Sequence, residues 1–322
     1  MKFNLNNLCF SLLFIYSNCS PVFYESWVAM QKQYLDLVEQ LNLSHAIETE
    51  KTLCHNDWIQ NKKHIRAVIL GDPNENFLRV PAINGTMVRE DFGNPQRYEI
   101  DYIKTKISST TKAKITTYKD PVFGNIAHAC TDFDCTINTL AHLYYAAIIL
   151  EKLKNQFDPI ITEFGSGYGS LARIFKSIMP NSTLILIDLP ELLVLQYLFF
   201  KETSPTVPVV IHSKLPIIIT PNAINLVPVF LAHNINTDSD VFISTFGISE
   251  TTQACQEMVI NKKFFNANLC YLAGQMPHID NNYVHHSILH NAVYKNFNHV
   301  INQPAHAESS GHKLYEITGF ND

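Results

Sequence analysis

The spacing of apolar residues changes near residue 155. Before that point the clearest pattern is helical, because behind Ser20 and Pro21 (an N-cap and a first-turn proline) apolar residues recur every three or four positions. The spacing predicts an amphipathic helix of about 20 residues and a second helix over 137–154. The apolar face of the first helix consists of Phe23, Trp27, Met30, Tyr34, Leu37, Val38 and Leu41.

Between residues 45 and 125 the pattern is irregular. Short apolar runs that resemble strands stand between turn signals such as Gly71-Asp72-Pro73 and Gly93-Asn94-Pro95. These runs cover 67–70, 80–83 and 114–118. We therefore predict that residues 1–155 form a mixed, largely helical region that caps or selects a substrate.

After Asp158-Pro159, strand-like runs alternate with helical ones. The predicted strands are 160–164, 183–188, 207–212, 240–245, 268–273 and 313–320, and the predicted helices are 170–179, 190–203 and 251–265. Strands that are apolar on both faces and alternate with helices indicate a parallel sheet covered on both sides. We predict an α/β fold with a Rossmann-like sheet, and a second domain over 156–322.

Composition directs attention to one turn of this second domain. The chain is 46% apolar, which excludes disorder, and it contains only 11 glycines. Three of them, Gly165, Gly167 and Gly169, fall within five residues directly after the first predicted strand. A chain this poor in glycine that places three in one turn needs a bare backbone there.

Charge and cysteine content limit the partners and the location. The net charge is −5 and no basic tract exceeds Lys62-Lys63-His64, so we expect no nucleic-acid partner. The seven cysteines are scattered without metal or redox spacing, which favours reduced thiols and a cytoplasmic protein. Residues 8–16 resemble the apolar core of a signal peptide, which keeps export as the minor alternative, but they are too short to span a membrane.

The glycine turn predicts a nucleotide-type cofactor. A strand, a glycine turn and a helix follow one another, and Asp188 ends the next strand 19 residues after Gly169. The helix N-terminus offers free N–H groups, and an acid at the second strand end can accept both hydroxyls of a ribose. The alternative is a structural tight turn followed by a solvated acid.

The spacing of the glycines separates the cofactor classes. A dinucleotide fingerprint, G-x-G-x-x-G, would need glycine where Ser170 stands, and the third glycine comes one place early. Glu163, two residues before the first glycine, suits a ligand that carries positive charge. The sulfonium and ammonium groups of S-adenosylmethionine meet that requirement.

The run Glu163–Gly169 resembles motif I of class I S-adenosylmethionine-dependent methyltransferases. With 163–173, 187–191, Leu195-Gln196 and 240–250, and weakly 92–94 and 123–125, the chain resembles their sugar O-methyltransferase family. The resemblance covers roughly residues 120–275.

The resemblance implies that Glu163 and the glycines hold the methionine part, Asp188 the ribose, and Leu189 lies near the adenine. The full cofactor-binding set is Glu163, Gly165, Ser166, Gly167, Gly169, Asp188, Leu189 and Ser244. One feature departs from the family: after the predicted third strand, 207–212, only Ser213, Thr220 and Asn222 could receive the adenine amine, and none of them is an acid.

Methyl transfer to a hydroxyl needs a base near the acceptor oxygen. The candidates are Glu250, in the loop after the fourth predicted strand, His142 on the helix before the α/β domain, and His278 after the fifth strand. Their alternatives are a helix-capping acid for Glu250 and a packing residue for His142. His286 and His290 are spaced as a metal pair, but no third ligand is evident, so we expect no metal.

We therefore expect 156–322 to be an S-adenosylmethionine-binding methyltransferase domain that methylates a hydroxyl of a sugar or sugar nucleotide, as in polysaccharide biosynthesis. A non-catalytic methyltransferase-like module and a nicotinamide-dependent oxidoreductase are the alternatives. The expected partner is a small-molecule or saccharide substrate, with no membrane span and a homodimer left open.

Overall fold

A computed structural model describes residues 19–40, 52–88, 96–153, 158–275, 286–304 and 314–322. The signal-like segment 8–16, the turn at 93–95 and His278 lie outside these residues. Among the described residues, no helix is both long enough and apolar enough to cross a membrane.

Helices make up most of the described part of the N-terminal region. They are α1 (Pro21–Gln40), α2 (Asn56–Ile69), α3 (Pro81–Met87), α4 (Gln96–Thr105), α5 (Ser109–Thr117) and α6 (Ile137–Lys152). The predicted cap of α1 is present, because the Phe23 N–H donates to Ser20 Oγ. Both helices predicted in this region, α1 and α6, are confirmed.

The three strand-like runs predicted between residues 45 and 125 are wrong. Residues 67–69 form the last turn of α2, 81–83 the first turn of α3, and 114–117 the last turn of α5. Each run is a few apolar residues long, and such a run fits either a strand or one face of a helix. Pro81 is the first residue of α3, in line with the preference of proline for the first helical position.

The C-terminal region forms one sheet of eight described strands. These are β1 (Ile160–Phe164), β2 (Thr183–Asp188), β3 (Val209–Ile211), β4 (Ile224–Pro228), β5 (Val241–Thr245), β6 (Leu269–Gln275), β7 (His299–Pro304) and β8 (Leu314–Phe320). The helices between them are α7 (Ser170–Ile178), α8 (Pro190–Thr203), α9 (Gln253–Asn261) and α10 (His286–Asn296).

The strand order is β3-β4-β2-β1-β5-β6-β8-β7. The six strands β1 to β6 pair in parallel with their neighbours, whereas β8 runs antiparallel to both β6 and β7. Because β2 and β4 are buried along their whole length, the sheet is covered on both faces. The predicted α/β class is confirmed, and the antiparallel β7–β8 pair is an addition to it.

Two further differences are a strand that was not predicted and a helix that ends earlier than predicted. Strand β4 was not predicted, although it lies between β2 and β3 in the sheet. The helix predicted over 251–265 ends at Asn261, because the four residues Lys263–Asn266 all adopt left-handed backbone angles with φ between 48° and 57°. Left-handed residues cannot continue a right-handed helix.

An ion pair between a partly exposed guanidinium and a buried carboxylate links the N-terminal helices to the sheet domain. Arg66 on α2 binds Glu191, in the first turn of α8, at 2.6 Å, and the Tyr34 hydroxyl on α1 donates to the same carboxylate oxygen at 3.1 Å. The apolar core continues through both regions. This packing places α2, α4 and α6 beside the carboxyl ends of the central strands.

Candidate active site

The described residues enclose a cavity of about 530 Å³ at the carboxyl ends of β1 and β5. Strand β1 lies between β2 on one side and β5 on the other, so the chain crosses over in opposite directions from this point. Open α/β sheets bind ligands at such a switch point. Helices α2, α3, α4 and α6 contribute the opposite wall.

The glycines of the turn serve backbone packing as well as access. A Cβ at Gly165 would lie 2.5 Å from the Cα of Gly247, so the loops after β1 and β5 touch through two glycines. A Cβ at Gly169 would lie 2.7 Å from the Phe200 ring. A Cβ at Gly167 would meet only the Met87 side chain, at an ordinary distance of 3.5 Å. Gly165 and Gly167 both line the cavity.

Asp188 lies at the end of β2, beside the glycine turn. Its Oδ2 accepts hydrogen bonds from the Gly167 N–H at 3.1 Å and from Gln196 Nε2 at 3.2 Å, and its Oδ1 accepts from the Leu189 N–H at 2.8 Å. Burial raises the pKa of Asp188 to about 7, although these hydrogen bonds act against the rise. Three of the roughly four acceptor positions of a carboxylate are thus already used.

Gln196 of α8 organises the turn and was not singled out as a site residue. It is fully buried, and its amide nitrogen donates to the Gly167 carbonyl at 2.8 Å as well as to Asp188. A polar residue within the apolar run Leu192–Phe200 was the available sequence signal. Gln196 therefore couples the conformation of the turn to the position of the Asp188 carboxylate.

Glu163 lies on β1 with its side chain buried in the cavity wall. It is 2% exposed, and no described residue forms a hydrogen bond with its carboxylate. Burial, with a smaller contribution from the charge of Asp188, raises the pKa of Glu163 to about 8. A buried carboxylate without a cation is costly, so this position favours a positively charged ligand.

The loop after β5 has a strained backbone next to the cavity. Phe246 has φ 70°, which is unusual for a bulky residue, and it precedes the close contact of Gly247 with Gly165. Ser244 stabilises this loop: its hydroxyl donates to the Phe164 carbonyl at 2.8 Å and accepts from the Ile248 N–H at 2.9 Å. Ser244 is fully buried and is not part of the cavity wall.

Glu250 closes the short turn Gly247–Glu250 and lines the cavity. Its carboxylate accepts a hydrogen bond from the Trp58 indole N–H on α2 at 2.8 Å. Burial raises the pKa of Glu250, and the Trp58 hydrogen bond opposes that rise. Trp58 was not foreseen, because only the folded chain brings residues 58 and 250 together.

Helix α6 contributes His142, the second base candidate, to the cavity wall. It also contributes Asn138, which donates to the Tyr168 hydroxyl at 2.9 Å, and Tyr144, which donates to Glu316 of β8 at 2.9 Å. Asn138, Tyr144 and Glu316 all line the cavity and were not predicted.

The strand beside β2 is not the one that the sequence predicts. Strand β4, not the predicted 207–212, is the parallel neighbour of β2, and Val229 follows it. Val229 lines the cavity together with Leu189 and Leu192. The three residues predicted as possible partners of the adenine amine, Ser213, Thr220 and Asn222, are not part of the described wall. This side of the cavity is apolar.

The structure therefore brings most predicted site residues to one cavity. Those that line it are Glu163, Gly165, Ser166, Gly167, Asp188, Leu189, Glu250 and His142. Gly169 and Ser244 lie outside the wall. Within the described part of the chain, no group of three or more His, Cys, Asp or Glu side chains is arranged to hold a metal ion.

No family model and no curated protein matches the chain. Among solved structures, it is similar to a precorrin-6y C5,15-methyltransferase from Geobacter metallireducens, with 15% identity, a TM-score of 0.38, and coverage of 63% of this chain and 100% of that one. It is also similar to the magnesium protoporphyrin IX methyltransferase ChlM of Synechocystis PCC 6803 with bound SAM, at 8% identity, TM-score 0.42, and coverage of 81% and 97%.

Proposed function

We propose that this protein is an S-adenosylmethionine-dependent methyltransferase. The observation that carries the proposal is the Glu163 carboxylate, buried in the cavity wall beside the glycine turn without a cationic partner among the described residues. The ammonium or sulfonium of S-adenosylmethionine would compensate that charge. A dinucleotide would instead bring two phosphate charges towards it.

The arrangement of the cavity wall supports an order of contacts for this cofactor along the sheet edge. Glu163 and the turn residue Gly167 would hold the methionine part, and Asp188 would accept from the ribose. With three acceptor positions already used, Asp188 has room for one ribose hydroxyl rather than both, unless Gln196 moves. The adenine would lie against Leu189 and Val229.

When bound, S-adenosylmethionine would supply the methyl group to an acceptor hydroxyl, with the cofactor sulfur as the leaving group. Glu250 is our first candidate for the base that takes the hydroxyl proton. Burial moves the pKa of Glu250 towards neutral pH, and a general base is most effective when its pKa lies near the working pH. His142 is the second candidate, and His278 stays a prediction from the sequence.

The resemblance noted in the sequence suggests a hydroxyl of a sugar or sugar nucleotide as the acceptor, and a role in polysaccharide biosynthesis. Two other functions compete with the proposal. A nicotinamide-dependent oxidoreductase would bind NAD, and a non-catalytic module would bind the cofactor without turnover.

Titration calorimetry on the full chain separates these functions. We expect S-adenosylmethionine and S-adenosylhomocysteine to bind with one site per chain and NAD not to bind. Turnover is then measured as S-adenosylhomocysteine released in the presence of a panel of sugars and sugar nucleotides. Binding of NAD alone would refute the proposal, and cofactor binding without release across the panel would favour the non-catalytic module.

A further inference from the structure

Helix α6 crosses the cavity from the glycine turn towards the far side of the sheet. Its first turn contacts the glycine turn, because Asn138 donates a hydrogen bond to the Tyr168 hydroxyl at 2.9 Å. Two turns later, the Tyr145 ring packs against Tyr271 of β6, with 5.6 Å between the ring centroids. The position of a residue along α6 therefore indicates which end of the cavity it faces, and Asn138 lies at the end formed by the glycine turn.

Contacts from two elements fix the orientation of the Asn138 side chain. The Tyr168 hydroxyl that receives its amide belongs to a buried ring, which packs edge-to-face against Phe199 of α8 with 5.1 Å between the ring centroids. On α6 itself, Thr136 caps the helix start, because its hydroxyl accepts from the Thr139 N–H at 3.0 Å. Since Tyr168 holds the amide nitrogen, the direction of the side-chain oxygen, Oδ1, is also fixed.

The Oδ1 atom of Asn138 is open to the cavity. Asn138 is 6% exposed and lines the cavity, and its oxygen accepts no hydrogen bond from any residue that the structure describes. That oxygen is still accessible, since it does not belong to the buried polar atoms that solvent cannot reach. An amide oxygen only accepts hydrogen bonds, so the ligand group that pairs with it must be a donor.

The proposed cofactor has three kinds of donor, and two of them belong to the opposite side of the cavity. In the proposed arrangement the ribose hydroxyls contact Asp188 at the end of β2, and the adenine lies against Leu189 and Val229. Strands β2 and β4 lie on one side of β1, whereas β6, which α6 approaches, lies on the other side. The ammonium of the methionine part is the donor that remains for Asn138.

We propose that Asn138 is a cofactor-binding residue whose side-chain oxygen accepts a hydrogen bond from the ammonium of S-adenosylmethionine. The inference rests on the proposed methyltransferase function and adds a contact from α6 to it. Tyr168 is then a positioning residue, which holds the amide so that its oxygen faces the ligand. The contact does not depend on a charge on the protein, because a neutral amide oxygen accepts from an ammonium.

Three ligands that share one nucleoside test the contact by calorimetry on the full chain. S-adenosylhomocysteine has the ammonium and the carboxylate, its decarboxylated analogue keeps only the ammonium, and methylthioadenosine has neither. Asn138→Leu, which has nearly the same shape but no acceptor, should bind the first two about tenfold or more weakly than the wild type does, and methylthioadenosine equally well. Equal losses for all three ligands, no loss for any of them, or a loss confined to S-adenosylhomocysteine would overturn the inference.

Two further variants separate the contact from a general effect on folding. Asn138→Asp keeps an acceptor, to which Tyr168 can donate, so it should bind the two ammonium ligands at least as tightly as the wild type. Tyr168→Phe removes the hydroxyl that orients the amide, so it should weaken both about threefold or more and leave methylthioadenosine unchanged; it replaces Asn138→Leu if that variant does not fold. Asn291→Leu, at an exposed asparagine of α10, is the matched control and should change nothing. A loss in Asn138→Asp as large as in Asn138→Leu would also overturn the inference.

The wild type distinguishes failure of this inference from failure of the proposed function. If the wild type binds none of the three ligands, the methyltransferase proposal is contradicted and the inference about Asn138 fails with it. If the wild type binds S-adenosylhomocysteine and Asn138→Leu binds it with equal affinity, only the inference about Asn138 is contradicted.

Discussion

The Glu163→Gln variant should stabilise the cofactor-free protein at alkaline pH while weakening cofactor binding. Glutamine has nearly the shape of glutamate and carries no charge, so it removes the cost of a buried carboxylate at a position that is 2% exposed. The same substitution removes the charge that we propose holds the cofactor. A residue with a purely structural role would not produce opposite effects on stability and binding.

The size of the stability effect follows from the pKa. Folding raises the pKa of Glu163 from its ordinary value of 4.5 to about 8, because the side chain is buried. A carboxyl whose pKa is raised on folding contributes stability below about pH 4.5, and this contribution is lost as the pH rises through 8. The free energy of unfolding should therefore fall by roughly 2 kcal/mol from about pH 6 to about pH 8 through this group.

Urea unfolding of the cofactor-free wild type and variant across that range measures the effect. The variant should become more stable than the wild type by an amount that grows with pH. Because the pKa of Asp188 is also raised, to about 7, the free energy of unfolding of both proteins should still fall with pH. In calorimetry the variant should bind S-adenosylmethionine at least about tenfold more weakly. Parallel stability curves, or unchanged affinity, would refute our account of Glu163; Glu257→Gln is the control.

Three further predictions concern the neighbouring residues. Asp188→Ala should weaken S-adenosylhomocysteine binding and also loosen the turn, which calorimetry and hydrogen exchange at Gly167 would detect; unchanged affinity would exclude a ribose contact. Gly247→Ala should destabilise the fold by about 1–3 kcal/mol in urea titrations, because its Cβ would lie 2.6 Å from the Gly165 Cα. Trp58→Phe removes a hydrogen bond that lowers the Glu250 pKa, so the rise of kcat/KM with pH should move to higher pH; an unshifted profile would argue against Glu250 as the base.

The sheet domain was predictable because its central strands are buried on both faces. Strands β1 and β2 and helix α8 occur at the predicted bounds, since continuous apolar runs between turn signals leave few alternatives. Strand β4 was missed because its five residues include the polar Asn225 and end in Pro228, which weakens the strand pattern. The short helices before residue 125 were missed because their apolar runs fit either secondary structure.

Only the part of the site around the glycine turn could be predicted from the sequence. Glu163, Gly167 and Asp188 come together because consecutive parallel strands end at the same sheet edge. The contacts of Trp58 with Glu250 and of Tyr144 with Glu316 join residues 192 and 172 positions apart. No local pattern in the sequence specifies such pairs.

A crystal structure of the full chain with S-adenosylhomocysteine tests the central claim most directly. We predict that the ligand occupies the cavity at the ends of β1 and β5, with its ammonium facing Glu163 and a ribose hydroxyl within hydrogen-bond distance of Asp188. A ligand bound elsewhere, or one whose ammonium and ribose contact neither carboxylate, would contradict the assignment of this cavity as a methyltransferase active site.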